Sequence, residues 1–230
     1  EGINFKAMKG QTIGVIGGTG SGKSSLVNLI PRLYDATQGE VLVDGVNVKD
    51  YDIEALRNKV GIVMQKAVLF KGTIRENMWM GKKGATDEQI DEALEISQSK
   101  EFVDSKQGRL DYVIEQGGKN LSGGQRQRLT IARAIVRKPD VLILDDSASA
   151  LDFATDAALR KAIRGMNNSP TVFIVSQRAA SLMYADLIIV LDDGQVAGMG
   201  THDELLANCE VYKEIYESQF KKADSEGGVA

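Results

Sequence analysis

A chain of 230 residues, 43% hydrophobic and 26% charged, has the composition of a folded globular protein rather than a disordered one. Its formal net charge of −4 argues against generic binding to nucleic acid. One cysteine, Cys209, and one histidine, His202, exclude an internal disulfide framework and any zinc site that needs two histidines or several cysteines. No apolar run exceeds about five residues, whereas a membrane-spanning helix needs roughly 20. We expect neither a membrane span nor a targeting segment in these residues.

The first predicted elements are a strand, a helix and a hairpin. Residues 10–17 form an apolar run that ends in glycines, and residues 24–34 carry helical spacing. Two short β-type runs, at 40–43 and 46–48, flank Asp44 and Gly45, a dipeptide that favours a two-residue hairpin turn. This order predicts a strand, a glycine-rich loop and a helix, followed by a small antiparallel β part.

The remaining pattern predicts an α/β protein. A short helix is expected at 52–58, and apolar β-branched runs typical of buried parallel strands lie at 60–64, 141–144, 171–175 and 187–190. Helical patterns dominate between Gln65 and Pro139, including a solvated acidic face at 87–95. We therefore expect one domain, residues 1–230, with a mainly parallel sheet and an inserted α-helical subdomain at about 73–138.

The C-terminal region is expected to hold two helices. Thr201 and Glu204 have the spacing of a capping box that opens a short helix. His202, in the first turn of that helix, is expected on the surface. A last helix is predicted at about 211–220, with residues 221–230 frayed.

Residues 17–24 match the phosphate-binding pattern of glycine, four residues, glycine, lysine and serine. Lys23 supplies a charge for the β and γ phosphates, and the Ser24 hydroxyl can bind Mg²⁺. A simple tight turn or a dinucleotide-binding loop would also be glycine-rich, but Lys23 occupies the place of the third glycine of the dinucleotide loop. The pattern predicts a site for nucleotide phosphates and Mg²⁺ in a P-loop NTPase core. Its residues are Gly17, Gly18, Thr19, Gly20, Ser21, Gly22, Lys23, Ser24 and Ser25.

A second element of phosphate chemistry is the apolar run 141–144, which ends in Asp145 and Asp146. Ligands of open α/β sheets bind at the carboxyl ends of strands. Asp145 is expected to hold Mg²⁺, directly or through water, and Asp146 to face the nucleophilic water.

The run Leu121-Ser-Gly-Gly-Gln125, beside these two elements, resembles the signature of ABC-transporter nucleotide-binding domains. It also reads as a serine cap of the following helix. In that family two domains pair head to tail, and the signature of one closes over the ATP of the other. The resemblance implies an ATPase that binds ATP and Mg²⁺, with a second nucleotide-binding domain as partner. It also implies that Ser122, Gly123, Gly124 and Gln125 contact the partner's nucleotide, and that Gln65 senses Mg²⁺ and water.

Other runs resemble ABC exporters in particular. They are Lys71-Gly-Thr-Ile-Arg-Glu-Asn77, Glu115-Gln-Gly-Gly118 and Ser149-Ala-Leu-Asp152, the last resembling the loop that crosses the dimer interface. The resemblance implies contact with transmembrane coupling helices and a location on the cytoplasmic face of the cell membrane. Met78-Trp-Met80 could belong to that contact or pack under a loop.

Two positions depart from the pattern of active family members. Asp146 stands where they carry glutamate, and one methylene fewer retracts the carboxylate by about 1.5 Å. Gln177 stands where they carry a histidine, and an amide cannot take a positive charge. This combination resembles the degenerate half of heterodimeric ABC exporters, whose own site hydrolyses poorly while its signature completes the partner's site.

The family's adenine-stacking aromatic would fall before Glu1. We therefore expect the first strands and the transmembrane domain to be absent from this chain. Two alternatives stay open: a soluble ABC ATPase of DNA maintenance or translation, and a non-hydrolysing module that dimerises on ATP.

Overall fold

The computed structural model describes residues 1–147 and 150–226, with side chains as far as Gln219. The strands, in chain order, are β1 (Thr12–Gly17), β2 (Leu42–Val43), β3 (Val46–Asn47), β4 (Val60–Val63), β5 (Gly72–Thr73), β6 (Val113–Ile114), β7 (Val141–Asp145), β8 (Thr171–Val175), β9 (Leu187–Asp192) and β10 (Gln195–Gly200). The helices are α1 (Lys23–Asn28), α2 (Ile53–Lys59), α3 (Ile74–Trp79), α4 (Asp87–Ile96), α5 (Lys100–Asp104), α6 (Gly123–Ile135), α7 (Phe153–Arg164), α8 (His202–Asn208) and α9 (Glu210–Glu226).

The chain divides into two units, and the first comprises Glu1–Leu56 and the chain from Thr171 onwards. Its sheet has the order β10-β9-β1-β8, in which β9, β1 and β8 are parallel. Every residue of β1 and β8 is buried, as the apolar runs predict for strands covered on both faces. β10 pairs antiparallel with β9 across a turn at Asp193 and Gly194.

The glycine-rich loop leads into a helix that is shorter than expected. α1 ends at Asn28, whereas the spacing predicts a helix to residue 34. Pro31 has no backbone N–H, and Arg32 has a φ of 52°, so the chain leaves the helical conformation there. The predicted hairpin of β2 and β3 is confirmed, with positive φ at Asp44 and Gly45. It packs through Val43 and Val48 against Leu56.

The second unit comprises Arg57–Pro170 and holds the parallel pair β4 and β7, with Val63 opposite Leu144. A short antiparallel pair joins β5 to β6. Capping boxes open α3, α4 and α6, with Thr73, Thr86 and Ser122 as the caps. The expected helical subdomain, about 73–138, falls inside this unit and stays a prediction. The fold class is α/β with mainly parallel strands, as predicted.

The C-terminal helices differ from expectation in two respects. The capping box of Thr201 and Glu204 is confirmed. The last helix continues to Glu226, so the prediction of frayed residues is wrong for 221–226. His202 is only partly exposed, and its Nδ1 lies 2.8 Å from the hydroxyl oxygen of the buried Tyr212. α8 and α9 pack together in the first unit, and this contact covers His202.

Candidate nucleotide-binding site

The phosphate loop connects β1 to α1 and surrounds the Lys23 ammonium with carbonyl groups. Lys23 Nζ donates to the carbonyl oxygens of Gly17 at 2.9 Å and Gly18 at 2.6 Å, and lies 3.4 Å from Ser21 Oγ. A Cβ at Gly17 would lie 2.1 Å from the carbonyl oxygen of Leu191. Only glycine fits at this place, because that oxygen is backbone and cannot move aside. The loop is thus packed from behind by β9.

The front of the loop fits an anion with an associated cation. Gly18, Thr19 and Gly20 are exposed, and so is Ser24 in the first turn of α1. An ammonium beside exposed backbone N–H groups suits phosphate oxygens, and an adjacent hydroxyl suits Mg²⁺. Among the side chains that the structure describes, no group of three or more acidic, histidine or cysteine residues is placed to hold a metal ion. A Mg²⁺ ion would therefore take most of its ligands from phosphate and water, as this ion commonly does.

A cavity of about 380 Å³ opens beside the loop in the first unit. Ser21, Gly22 and Ser25 line it on the loop side, and Leu191 and Tyr34 contribute apolar surface. Apolar surface beside a phosphate loop is suitable for the uncharged part of a nucleotide.

Gln177 follows β8 and emerges at the same sheet edge as the phosphate loop. β8 and β1 are parallel neighbours with Val175 opposite Val15, and the Ser176 N–H donates to the Val15 carbonyl at 3.1 Å. Parallel strands carry their C-terminal loops at one edge, so Gln177 and Lys23 belong to adjacent loops there. The Gln177 side chain is exposed.

In the second unit the structure brings Gln65 and Asp146 together. Gln65 follows β4 and Asp146 follows β7, and Gln65 Nε2 donates to Asp146 Oδ2 at 3.1 Å. Asp146 has a φ of 46°, a conformation that aspartate adopts more readily than most residues. Asp145, the last residue of β7, is only 6% exposed. The two acids thus have distinct settings, one buried at the strand end and one bound to the glutamine amide.

The signature residues form the N-terminus of α6. Ser122 Oγ accepts from the Gln125 N–H at 3.2 Å, and Gln125 Oε1 accepts from the Ser122 N–H at 3.1 Å. The predicted serine cap is therefore confirmed. Because the Ser122 oxygen accepts in this cap, its own proton can still be donated to an external anion. Gly123 and Gly124 add no side chain in front of the helix N-terminus.

The sequence analysis missed two residues that fix the loops of the site. Arg126 Nη1 donates to the carbonyls of Gly118 and Leu121 and so fixes the backbone that leads into the signature. Gln219, on α9, bonds the backbone on both sides of Arg178. A long-range bond of this kind leaves no local pattern in the sequence. The run 149–152 is predicted to cross a dimer interface. Its last residue, Asp152, caps α7, and its first, Ser149, lies outside the described residues.

The sequence profile of ABC transporters matches residues 1–149. This chain belongs to the ABC transporter family. The ABC domain is 45% identical, over 97% of its length, to the uncharacterised ABC transporter ATP-binding protein YfiB of Bacillus subtilis, of which it covers 39%. It is 40% identical, over 94% of its length, to a putative multidrug export ATP-binding/permease protein of Staphylococcus aureus, of which it covers 38%.

Among solved structures, a bacterial Atm1-family ABC exporter with ATP bound superposes on 92% of this ABC domain with a TM-score of 0.87 at 33% identity. The match covers 37% of the exporter chain. The ABC domain spans about two fifths of the length of these relatives. No helix in the described part of the chain has the length and apolar character needed to cross a membrane.

The ABC domain exposes apolar side chains in its second unit. Met78 is fully buried, so it packs in the interior, whereas Trp79 and Met80 are 40% and 52% exposed. Phe70 and Val113 are also exposed, and Glu115 follows Val113 by two residues on the surface. Exposed apolar side chains such as these can be buried by contact with another protein segment.

Proposed function

We propose that this ABC domain binds Mg-ATP, pairs head to tail with a second nucleotide-binding domain, and powers export of a substrate across a membrane. The similarity to exporter proteins supports this proposal. Residues 1–230 then act as one ABC ATPase domain, with the helical subdomain at about 73–138. In this arrangement the domain lies on the cytoplasmic face of the cell membrane. Phe70, Trp79, Met80 and Glu115 are the surface that we assign to the coupling helices of transmembrane domains.

The first unit provides phosphate recognition in this proposal. Lys23 and the loop N–H groups neutralise and orient the β and γ phosphates, and Ser24 binds the metal ion. Bound Mg²⁺ would supply additional positive charge to the phosphate oxygens. Asp145 and Gln65 are its other expected protein ligands. Ser122 and the N-terminus of α6 act on the nucleotide of the partner domain, because an N-terminal helix end with a free hydroxyl proton favours an anion.

We further propose that the domain's own site hydrolyses ATP slowly. The observation that carries this is Gln177, which follows the strand beside the phosphate loop. Its amide can hydrogen-bond the γ-phosphate but cannot take a positive charge. Asp146 reinforces it, because its carboxylate is short and already accepts a hydrogen bond from Gln65. A general base is commonly worth about 100- to 10,000-fold in rate, so a misplaced base leaves binding with little turnover.

The test is steady-state phosphate release by the 230-residue chain and by the double variant Asp146→Glu with Gln177→His. We expect the double variant to turn over on the order of 100-fold faster, because glutamate extends the carboxylate by one methylene and histidine can take a positive charge. Lys23→Ala is the control for ATP binding and should weaken it strongly in calorimetry. Rapid turnover by the unaltered chain, equal to that of the double variant, would refute the slow-site proposal and leave the ABC assignment in place.

A non-hydrolysing module that dimerises on ATP is the second candidate, favoured by the same two substitutions. It predicts ATP-dependent dimers in light scattering and no phosphate release above background, even with a competent partner domain present. Detectable release that depends on Lys23 excludes it.

A further inference from the structure

One side chain of the C-terminal helix holds the backbone around Gln177 at two points. Gln219 Nε2 donates to the Gln177 carbonyl oxygen at 2.7 Å, and Gln219 Oε1 accepts from the Ala179 N–H at 2.9 Å. The Arg178 N–H, between these points, donates to Ser176 Oγ at 2.9 Å. The segment from 176 to 179 is therefore fixed where β8 ends.

The chemistry of this bridge requires an amide at position 219. The bridge needs a donor towards one backbone carbonyl and an acceptor towards one backbone N–H, and glutamine supplies both from a single planar group. Glutamate would keep the acceptor for Ala179 but place an oxygen against the Gln177 carbonyl. The two halves of the bridge can therefore be separated by substitution.

The helix that carries Gln219 is anchored two turns earlier. Tyr212 is fully buried, its hydroxyl pairs with His202 Nδ1, and Tyr216 also packs against the His202 ring. Tyr212, Tyr216 and Gln219 have the spacing of one helix face. The same face of α9 thus holds the helix in the first unit and delivers the amide to the loop.

We propose that Gln219 is a positioning residue that directs Gln177 towards the γ-phosphate, so that α9 sets how strongly the site prefers ATP to ADP. This inference rests on the proposed function, because it assumes that Gln177 contacts the γ-phosphate. A contact made only with that phosphate raises the affinity for ATP and leaves that for ADP unchanged. Net hydrogen-bond contributions make the expected change in this preference about two- to tenfold.

The test measures Mg-ATP and Mg-ADP affinities of the 230-residue chain by calorimetry. Gln219→Ala and Gln219→Glu should both lower the ATP-over-ADP preference about two- to tenfold. Ser218→Ala is the matched control, since Ser218 is exposed, adjacent in sequence, and bonds only within the helix as far as the described contacts go. It should leave the preference unchanged.

A double-variant cycle separates positioning from mere support of the fold. In a Gln177→Ala background, Gln219→Glu should cause no further loss of preference, because the side chain through which it acts is gone. Amide exchange gives an independent readout: Gln219→Ala should speed exchange at Ala179, and Gln219→Glu should preserve its protection. If Gln219→Ala fails to fold, Gln219→Glu alone decides.

An unchanged preference in Gln219→Glu, or an equal loss with and without Gln177, would overturn the inference. Lys23→Ala distinguishes this failure from failure of the proposed function. If Lys23→Ala abolishes ATP binding while Gln219→Glu changes nothing, only the role of Gln219 is wrong. If Lys23→Ala binds ATP normally, the nucleotide site itself is wrong.

Discussion

Lys23 holds its charge at the phosphate loop through hydrogen bonds to the carbonyls of Gly17 and Gly18. These hydrogen bonds confine the Lys23 side chain at the loop, which reduces the conformational entropy that the side chain loses when a phosphate binds. Gly17 makes it possible, since its missing Cβ lets the loop approach the Leu191 carbonyl. At the residue scale, the site depends on this close backbone approach as much as on the charge.

Gly17→Ala should lower the free energy of unfolding by at least about 2 kcal/mol, because the added methyl group would overlap a backbone oxygen. Gly18→Ala is the matched control, since a Cβ at Gly18 has no atom within 4 Å. It should change the free energy of unfolding by no more than about 0.5 kcal/mol. Urea unfolding of both variants checks the prediction, and equal losses would contradict it.

At the element scale, capping serves both stability and function. Thr86 and Ser122 cap α4 and α6 with the same reciprocal bonds, but only Ser122 belongs to the signature. Removal of a cap residue therefore lowers the free energy of unfolding, and this loss can be measured separately from any effect on the partner's site.

Thr86→Ala and Ser122→Ala should each lower the free energy of unfolding by about 1 kcal/mol. In a complete transporter only Ser122→Ala should also slow ATP hydrolysis, because its hydroxyl proton is lost from the partner's site. Urea unfolding and phosphate release test the two effects. A rate loss of the same size in Thr86→Ala would show that stability alone explains it.

Tyr212 predicts a loss of stability at alkaline pH. Burial, with a smaller contribution from Tyr216, raises the pKa of Tyr212 from 10.0 to about 12. The phenol ionises near its ordinary pKa in the unfolded chain, so its contribution is full below pH 10.0 and is lost as the pH rises to about 12. Tyr212→Phe should show a shallower decline in this range, measured by the free energy of unfolding. Parallel declines in the two proteins would contradict the assignment.

Local patterns in the sequence predicted the elements that local chemistry determines. The hairpin at Asp44 and Gly45 and the caps at Ser122 and Thr201 need only neighbouring residues, and they form as expected. β10 was not predicted, because its small residues and glycines have low β-propensity and its stability comes from pairing with β9. The Gln219 bridge was not predictable, since it joins backbone about 40 residues away.

At the scale of the whole molecule, the proposed head-to-tail pair divides this domain's functional residues between two different ATP sites. In that proposed pair, its phosphate loop and Asp146 would serve its own site, and its signature would serve the partner's site. Substitutions in the two places should therefore affect different hydrolytic sites, even though both lie in one chain.

In a complete heterodimeric transporter, Ser122→Arg should abolish hydrolysis at the partner's site, because it puts bulk and charge into a phosphate pocket. Asp146→Asn should reduce total hydrolysis much less, since it alters the slow site and retains an oxygen that can accept from Gln65. Transport and ATPase rates measured side by side provide the test. Equal losses would make this chain's own site a principal hydrolytic site and would exclude the degenerate-half proposal.

The position of β1 in its sheet determines when the nucleotide loop can be completed during synthesis. Both strands that pair with β1, namely β8 and β9, are translated about 150 residues or more after it. At roughly 5–20 residues per second, β8, the first of these two strands, is synthesised about 8–30 s after β1. The unit Arg57–Pro170 is uninterrupted and contains both strands of the parallel pair β4 and β7, so that pair can form from strands already synthesised. The loop is thus synthesised before every strand that packs against β1, and its packing is complete only when the carbonyl of Leu191 arrives behind Gly17.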